Sequence, residues 1–229
     1  QRTLINTDLK TEEYFSSILT SLPQPDSSGL IYTYEIKEGV YWDNGEPLTV
    51  EDVIFSTKLL VCPLTDNSDV RPIYSAIVED VVPDDTNPRK FYLICKSRHI
   101  CNIDVFSEMY LQQKSHWDPN GVLNDLTFKT INGTTFKSKE SWDDWFAGYN
   151  DADNSYIPEN LVGLGPYQVT AFEKDNYILL EKKKNWWGSK FDDPYSEANP
   201  EKIIFKIITD NSAVYLGIKN QEIDYAQSA

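Results

Sequence analysis

The chain has 229 residues, which at roughly 150 residues per domain fits one large domain or two small ones. Twenty-one Lys and Arg against 36 Asp and Glu leave a formal charge of −15, an excess that argues against nucleic acid and anionic membrane surfaces, whose binding depends on clustered cations releasing phosphate counterions. Hydrophobic residues make up 40% and aromatics 13%, too much for a disordered acidic chain, and no run approaches the ~18 apolar residues of a membrane-spanning helix.

From the N-terminal side, Leu30 to Lys37 alternates, with Leu30, Tyr32, Tyr34 and Ile36 on one face and Thr33, Glu35 and Lys37 on the other, the pattern of a half-buried strand. It runs through Gly39-Val40-Tyr41-Trp42 into Asp43-Asn44-Gly45, where Asn and Gly tolerate a tight turn. Thr49 and Asp52 form a capping box after Pro47, predicting a helix with Val53, Ile54, Thr57, Leu60 and Val61 on its apolar stripe, stopped by Pro63. Ser75 to Val82 and Lys90 to Lys96 read as strands of an antiparallel hairpin around Pro83 to Pro88. A short helix is expected over Cys101 to Gln113, then loops over 116 to 160 around one amphipathic turn near Trp142, Trp145 and Phe146. A second hairpin joins Tyr167 to Phe172 and Tyr177 to Lys182. Ile203 to Ile208 is another strand, Asp210 caps a helix from Ser212 to Lys219, and Ile223 to Tyr225 turns extended.

Residue types that carry chemistry are present, but their spacing is poor. Cys62, Cys95 and Cys101 are odd in number and too few for a disulfide scaffold, so buried free thiols are expected. Cys95, His99 and Cys101 have the ligand chemistry of zinc, yet on a strand Cys95 and His99 stand about 13 Å apart, so no metal site is expected. Asp151, Asp153 and Ser155 begin like a calcium loop, but Tyr156 replaces the turn glycine and Val162 the bidentate Glu. The pairs Asp84-Asp85, Asp143-Asp144 and Asp192-Asp193 could in principle supply the two carboxylates of glycoside hydrolysis, and read more simply as acidic surface. Asn132-Gly133-Thr134 matches a glycosylation acceptor, although Asn-Gly is first a turn signal.

Three separated segments resemble, in order, the signature blocks of the family 5 extracellular solute-binding proteins, the oligopeptide, dipeptide and nickel binding components of ABC importers. The most specific runs from Tyr32 to Val53 and holds Gly39, Trp42, Gly45, Pro47, Thr49 and Asp52, like that family's strand, Trp-x-x-Gly turn, Pro-x-Thr and capped helix. Gly163-Leu164-Gly165-Pro166-Tyr167 resembles Gly-Thr-Gly-Pro-Tyr, with Leu164 departing from Thr. Asn185-Trp186-Trp187-Gly188 resembles Asn-Pro-x-Tyr-Trp-Gly, and Ile203 to Asp224 resembles the closing strand, helix and Gly-x-Ile-Asp, with Asn220 in place of Gly.

The resemblance implies an α/β (α+β) periplasmic-binding-protein-like fold. It implies about the N-terminal half of such a protein, a partial lobe I with its inserted subdomain over residues 1–158 and part of the main lobe sheet over 159–229. It also implies a periplasmic or cell-surface protein, lipid-anchored at full length, that captures a peptide or other small molecule between two lobes, delivers it to an ABC permease, and needs neither catalysis nor a cofactor. The signature residues are expected to be structural, since turn glycines, a helix cap and core aromatics explain them without a ligand; none is assigned to ligand binding. The rival reading is a carbohydrate-active hydrolase or carbohydrate-binding module using the Asp pairs and aromatic platforms.

Overall fold

The computed structural model describes residues 3–8, 10–107, 109–191 and 197–226. Two short strands, β1 (Asn6–Thr7) and β2 (Tyr14–Phe15), pair antiparallel at the start. The first sheet is built from β3 (Ile31–Glu35), β4 (Val78–Pro83) and β5 (Lys90–Cys95), all antiparallel in the order β3-β5-β4. Alternation does its expected work here: Tyr32, Tyr34 and Ile36 are buried and Thr33 is exposed, while Phe91, Leu93 and Cys95 fill the same core from β5. Tyr34 stacks on its cross-strand partner Phe91 with ring centroids 5.0 Å apart, and Phe106 meets it edge-on, the arrangements that ring quadrupoles favour.

Helix α1 (Val50–Val61) starts at Thr49, with both hydrogen bonds of the capping box formed. Its burial is broader than one stripe, for Phe55 and Leu59 are buried alongside Val53 and Thr57. The cause is that α1 lies between β4 on one side and two short helices, α3 (Lys114–Trp117) and α4 (Phe128–Ile131), on others. Helix α2 (Arg71–Ile77) corrects the expected strand from Ser75. Pro72 sits in its first turn, where its fixed φ suits a helix and its missing N–H costs nothing, so β4 begins only at Val78.

The expected helix over Cys101 to Gln113 is a 3-10 turn over Ile100–Phe106, with non-helical chain over 109–113. His99 Nδ1 caps it by accepting from the Cys101 amide, and the Asn102 side chain donates to Ser97 O. Such local side-chain bonds compete with regular helix. The stretch from 116 to 160 is more helical than expected. Besides α4, which Thr127 caps, it contains the ten-residue α5 (Glu140–Tyr149) and 3-10 turns at Ala152–Tyr156 and Pro158–Asn160. Trp142 and Phe146 bury one face of α5.

The second sheet is β6 (Tyr167–Glu173), β7 (Tyr177–Lys182) and β8 (Lys202–Lys206), antiparallel in that order, followed by α6 (Asn211–Lys219). Asp210 caps α6 through the amides of Ser212 and Ala213. Ile223 to Tyr225 is not a strand. Gln221 takes φ +61°, and the Glu222 and Ile223 amides fold back onto Gly217 O, a left-handed helix stop of the kind that satisfies orphan carbonyls. Apolar burial is uneven between the sheets: among the described residues beyond Leu164, the buried large apolar side chains are Trp186 and Trp187. On β8 and α6, Phe205, Tyr215 and Leu216 are 56%, 68% and 53% exposed.

Candidate functional site

Most of the signature residues gather into one structural joint. Gly39 and Gly45 both take φ +84°, a conformation costly for a residue with a Cβ, and Pro47 bridges back to Tyr41. The Trp42 indole Nε1 donates to Asp52 Oδ2 at 3.2 Å, and the same oxygen accepts from the Thr49 amide at 2.9 Å and hydroxyl at 2.8 Å. Asp52 Oδ1 accepts from the Lys114 amide at 2.8 Å. One buried carboxylate therefore closes the helix cap, fixes the turn and anchors α3.

Asp43, within the same turn, reaches the second block. Its carboxylate pairs with the Lys183 ammonium and accepts from the Gly163 amide at 2.9 Å. Lys183 Nζ also donates to Gly163 O and Gly165 O, and burial pushes its pKa down while Asp43 opposes that shift. Both indoles of Trp186 and Trp187 donate to Leu164 O, at 2.8 and 2.9 Å. Pro166 O accepts from the Lys183 amide, and the Tyr167 hydroxyl donates to Pro200 O. Gly188 lies under Trp186, where an added Cβ would come within 2.3 Å of the indole. Asp224 is exposed beyond α6 and apart from this cluster.

The concave surface lies elsewhere. A cleft of about 600 Å³ opens between the C-terminal half of α1, the 65–70 loop, the segment 109–112 and the end of α5, a volume within the ~300–1,000 Å³ typical of small-molecule sites. Met109 and Leu59 are buried in it, while Tyr110 stands 59% exposed at its edge. Trp117 meets Tyr149 edge-on at 5.1 Å, and Trp145 stacks behind Tyr149; burial pushes the Tyr149 hydroxyl pKa up to about 12. Asn150 ties the walls together, donating to Leu64 O at 2.8 Å and accepting from the Asp66 amide at 3.0 Å. Ser56 Oγ accepts from the Gln112 amide at 2.7 Å. Aromatic faces over a floor of aliphatic and amide groups suit a ligand with both apolar and peptide-like parts.

Sequence reasoning missed this cleft because its residues come from separate segments with no shared spacing. The aromatic crowding of Trp117, Trp145 and Tyr149 was its one visible trace. A second recess of about 550 Å³ beside Glu46 and Asp118 has its carboxylates already engaged: Glu46 accepts from Gln113 and Ser115, and Asp118 from the Val122 and Leu123 amides.

The other sequence candidates are engaged in local structure. Cys62 and Cys95 are buried free thiols and Cys101 is half-buried and free. Among the described residues no three His, Cys, Asp or Glu side chains are grouped to hold a metal ion. Asp151 caps the 3-10 turn by accepting from the Asp153 amide and lines the cleft. Asp84 accepts from Tyr92, Thr86 and Asn87 within its hairpin, and Asp143 from Ser138; Asp192-Asp193 lies outside the described residues. The Asn132 amide group is taken up by Val78 O, Glu79 O and the Lys96 ammonium.

Comparison with known proteins places these features in context. The profile of the bacterial extracellular solute-binding proteins, family 5 (middle), matches residues 13–229. The oligopeptide-binding protein OppA of Bacillus subtilis is 22% identical over 98% of this chain, which spans 36% of that protein. Two solved structures share the fold: NikZ from Campylobacter jejuni in complex with Ni(L-His), at TM-score 0.68 and 20% identity, and the oligopeptide-binding protein AppA from Bacillus subtilis in complex with a nonapeptide, at 0.67 and 16%. Each alignment covers 97% of this chain and 36% of the other. The chain thus spans about a third of the relatives it matches, less than the half expected.

Proposed function

The chain belongs to the family 5 bacterial extracellular solute-binding proteins, and we propose that it forms part of lobe I of a two-lobed, extracytoplasmic binding component of an ABC importer, with peptides as its ligands. The family match over residues 13–229 carries this reading. The cleft beside Tyr110 and Tyr149 is the wall that this lobe offers to the ligand, and a second lobe closes over it by hinge motion. Binding involves no covalent chemistry, and the loaded protein delivers its ligand to the permease. Lipid anchoring of the complete protein outside the cytoplasmic membrane belongs to the same proposal; no helix among the described residues is long and apolar enough to cross a membrane.

The division into an inserted subdomain over 1–158 and a share of the main lobe sheet over 159–229 is also proposed. Two separate three-stranded sheets and the thinly covered apolar face of β8 and α6 favour it. A sheet with a bare apolar face needs another layer to bury it, and the rest of a longer polypeptide supplies that layer. The test of function is calorimetry of the complete polypeptide against a mixed dipeptide and oligopeptide pool, with mass spectrometry of what is retained. Retention of peptides, weakened by Tyr110→Ala, is the expected result. Failure to retain any peptide, or hydrolysis of a glycoside, would overturn it.

A further inference from the structure

We propose that Asn120 is a site of spontaneous deamidation, where the protein gains a carboxylate and an isoaspartyl linkage that loosens the loop after α3; this stands independently of the reading of the cleft as a ligand wall. The sequence holds three Asn-Gly pairs, Asn44-Gly45, Asn120-Gly121 and Asn132-Gly133. A glycine after asparagine opens the main-chain nitrogen to the side-chain carbonyl carbon, because no Cβ obstructs the approach and the backbone moves freely. In the reaction the Gly121 nitrogen loses its proton to solvent and bonds to Asn120 Cγ, the Cγ–Nδ2 bond breaks, and the amide nitrogen leaves as ammonia with a proton taken from solvent. Water then opens the cyclic imide, at Cγ to give Asp or at the main-chain carbonyl carbon to give isoaspartate. Water enters, ammonia leaves, and nothing is oxidised or reduced.

The three pairs differ in what holds the side-chain amide. Asn44 Nδ2 donates to Gln113 Oε1 at 3.2 Å, while its Oδ1 accepts from the Glu46 amide at 3.1 Å and from Gln113 Nε2 at 3.2 Å. Asn132 Nδ2 donates to Glu79 O and its Oδ1 accepts from the Lys96 ammonium, both at 2.8 Å. Each must break such bonds before its Cγ can turn to the glycine nitrogen. Asn120 is exposed, and its side chain has no hydrogen-bond partner among the described residues. The glycine nitrogens do not make this distinction: Gly45 and Gly121 donate to Trp42 O and Asp118 O at 3.0 Å, and Gly133 to Thr130 O at 3.4 Å. The consequence of the reaction is local. Asp118 accepts from the Val122 and Leu123 amides at 2.7 and 2.9 Å, so isoaspartate at 120 puts an extra methylene in the main chain within the loop that these bonds close. The new carboxylate joins Glu46, Glu51, Asp52 and Asp118 on the second recess, where Lys114 is already paired with Glu51.

The experiment is timed incubation of the complete polypeptide in mildly alkaline buffer, folded and in urea, with peptide mapping by mass spectrometry for the replacement of NH by O at each pair. In the folded protein Asn120 should convert about tenfold faster than Asn44 and Asn132, or more, since breaking two side-chain hydrogen bonds raises the barrier by that factor. In urea the three rates should converge. Asn120→Gln, whose longer side chain disfavours the ring, should abolish conversion at 120 and leave the other two pairs unchanged. Hydrogen exchange at the Val122 and Leu123 amides should be faster in the isoaspartyl fraction than in fresh protein. Three equal rates in the folded protein, or Asn44 or Asn132 converting first, would overturn the proposal. Conversion at Asn120 in urea with none in the folded protein would show that the turn from Asp118 to Gly121 protects the site, and would overturn it too. A ranking that persists in urea would trace it to local sequence and defeat the structural argument. Unchanged exchange at Val122 and Leu123 in the isoaspartyl fraction would overturn the loosening of the loop.

Discussion

Asp43 and Lys183 form an ion pair inside the joint between the two sheets, with side chains only 17% and 12% exposed. The pair links the turn after β3 to the segment after β7, and the Gly163 amide and two glycine carbonyls complete its coordination. Removing one partner of such a pair strands a buried charge and typically costs about 3–5 kcal/mol, while replacing both by apolar groups costs far less. Asp43→Asn and Lys183→Met should each lower the urea midpoint strongly, and Asp43→Leu combined with Lys183→Met should lose less than the sum. Single variants indistinguishable from wild type would show that the joint does not depend on the pair.

The shared carboxylate of Asp52 gives a second ranking. Thr49→Ala removes one capping hydroxyl, a loss of about 1 kcal/mol. Asp52→Ala instead leaves the Trp42 indole and the Thr49 and Lys114 amides without their acceptor, each unpaired buried donor costing about 1–3 kcal/mol. Thermal melts should therefore place Asp52→Ala well below Thr49→Ala. The reverse order would mean that the carboxylate serves the cap alone.

Burial raises the thiol pKa of both Cys62 and Cys95 from 9.0 to about 11. A raised folded-state value contributes stability that is complete below the unfolded value and lost as pH rises through the folded one. Urea stability should therefore fall between about pH 9 and pH 11, and the fall should be shallower in Cys62→Ala and Cys95→Ala. At neutral pH, iodoacetamide should label half-buried Cys101 first and reach the buried pair only on unfolding. Fast labelling of all three, or a pH slope unchanged in both variants, would contradict the burial argument.

The open face of β8 and α6 predicts behaviour of the 229-residue chain by itself. Contiguous exposed apolar groups bind hydrophobic dyes and promote association. Phe205→Glu with Leu216→Glu should reduce both dye binding and sedimentation-detected association while leaving the melting temperature nearly unchanged. A large drop in melting temperature would show that these side chains are already packed.

Much of this fold is legible where one local rule governs each residue. The alternation of Tyr32, Tyr34 and Ile36, the box of Thr49 and Asp52, and the Asp210 cap are all decided within a few residues, and the structure keeps them. Failures arise where a cap or a proline outweighs pattern. Pro72 turns an apparent strand into α2, His99 and Asn102 hold a 3-10 turn where a short helix was expected, and Thr127 starts a helix inside a polar stretch. The joint was half legible: its glycines and tryptophans stand out in sequence, but the Asp43–Lys183 pair that connects them does not. The cleft was not legible, because Ser56, Met109, Tyr149 and Asn160 meet only after folding.

The central claim is that this chain supplies one wall of a two-walled binding site, and calorimetry of the isolated 229-residue chain beside the complete polypeptide tests it most directly. A small solute's pocket normally buries most of the ligand surface, and one wall must meet the full cost of immobilising the ligand with only part of those contacts. The complete polypeptide should bind members of a peptide pool with 1:1 stoichiometry, and the isolated chain at least about 100-fold more weakly, a difference of ~2.7 kcal/mol. Equal 1:1 affinity in both would contradict the account and make these 229 residues a binding module in their own right.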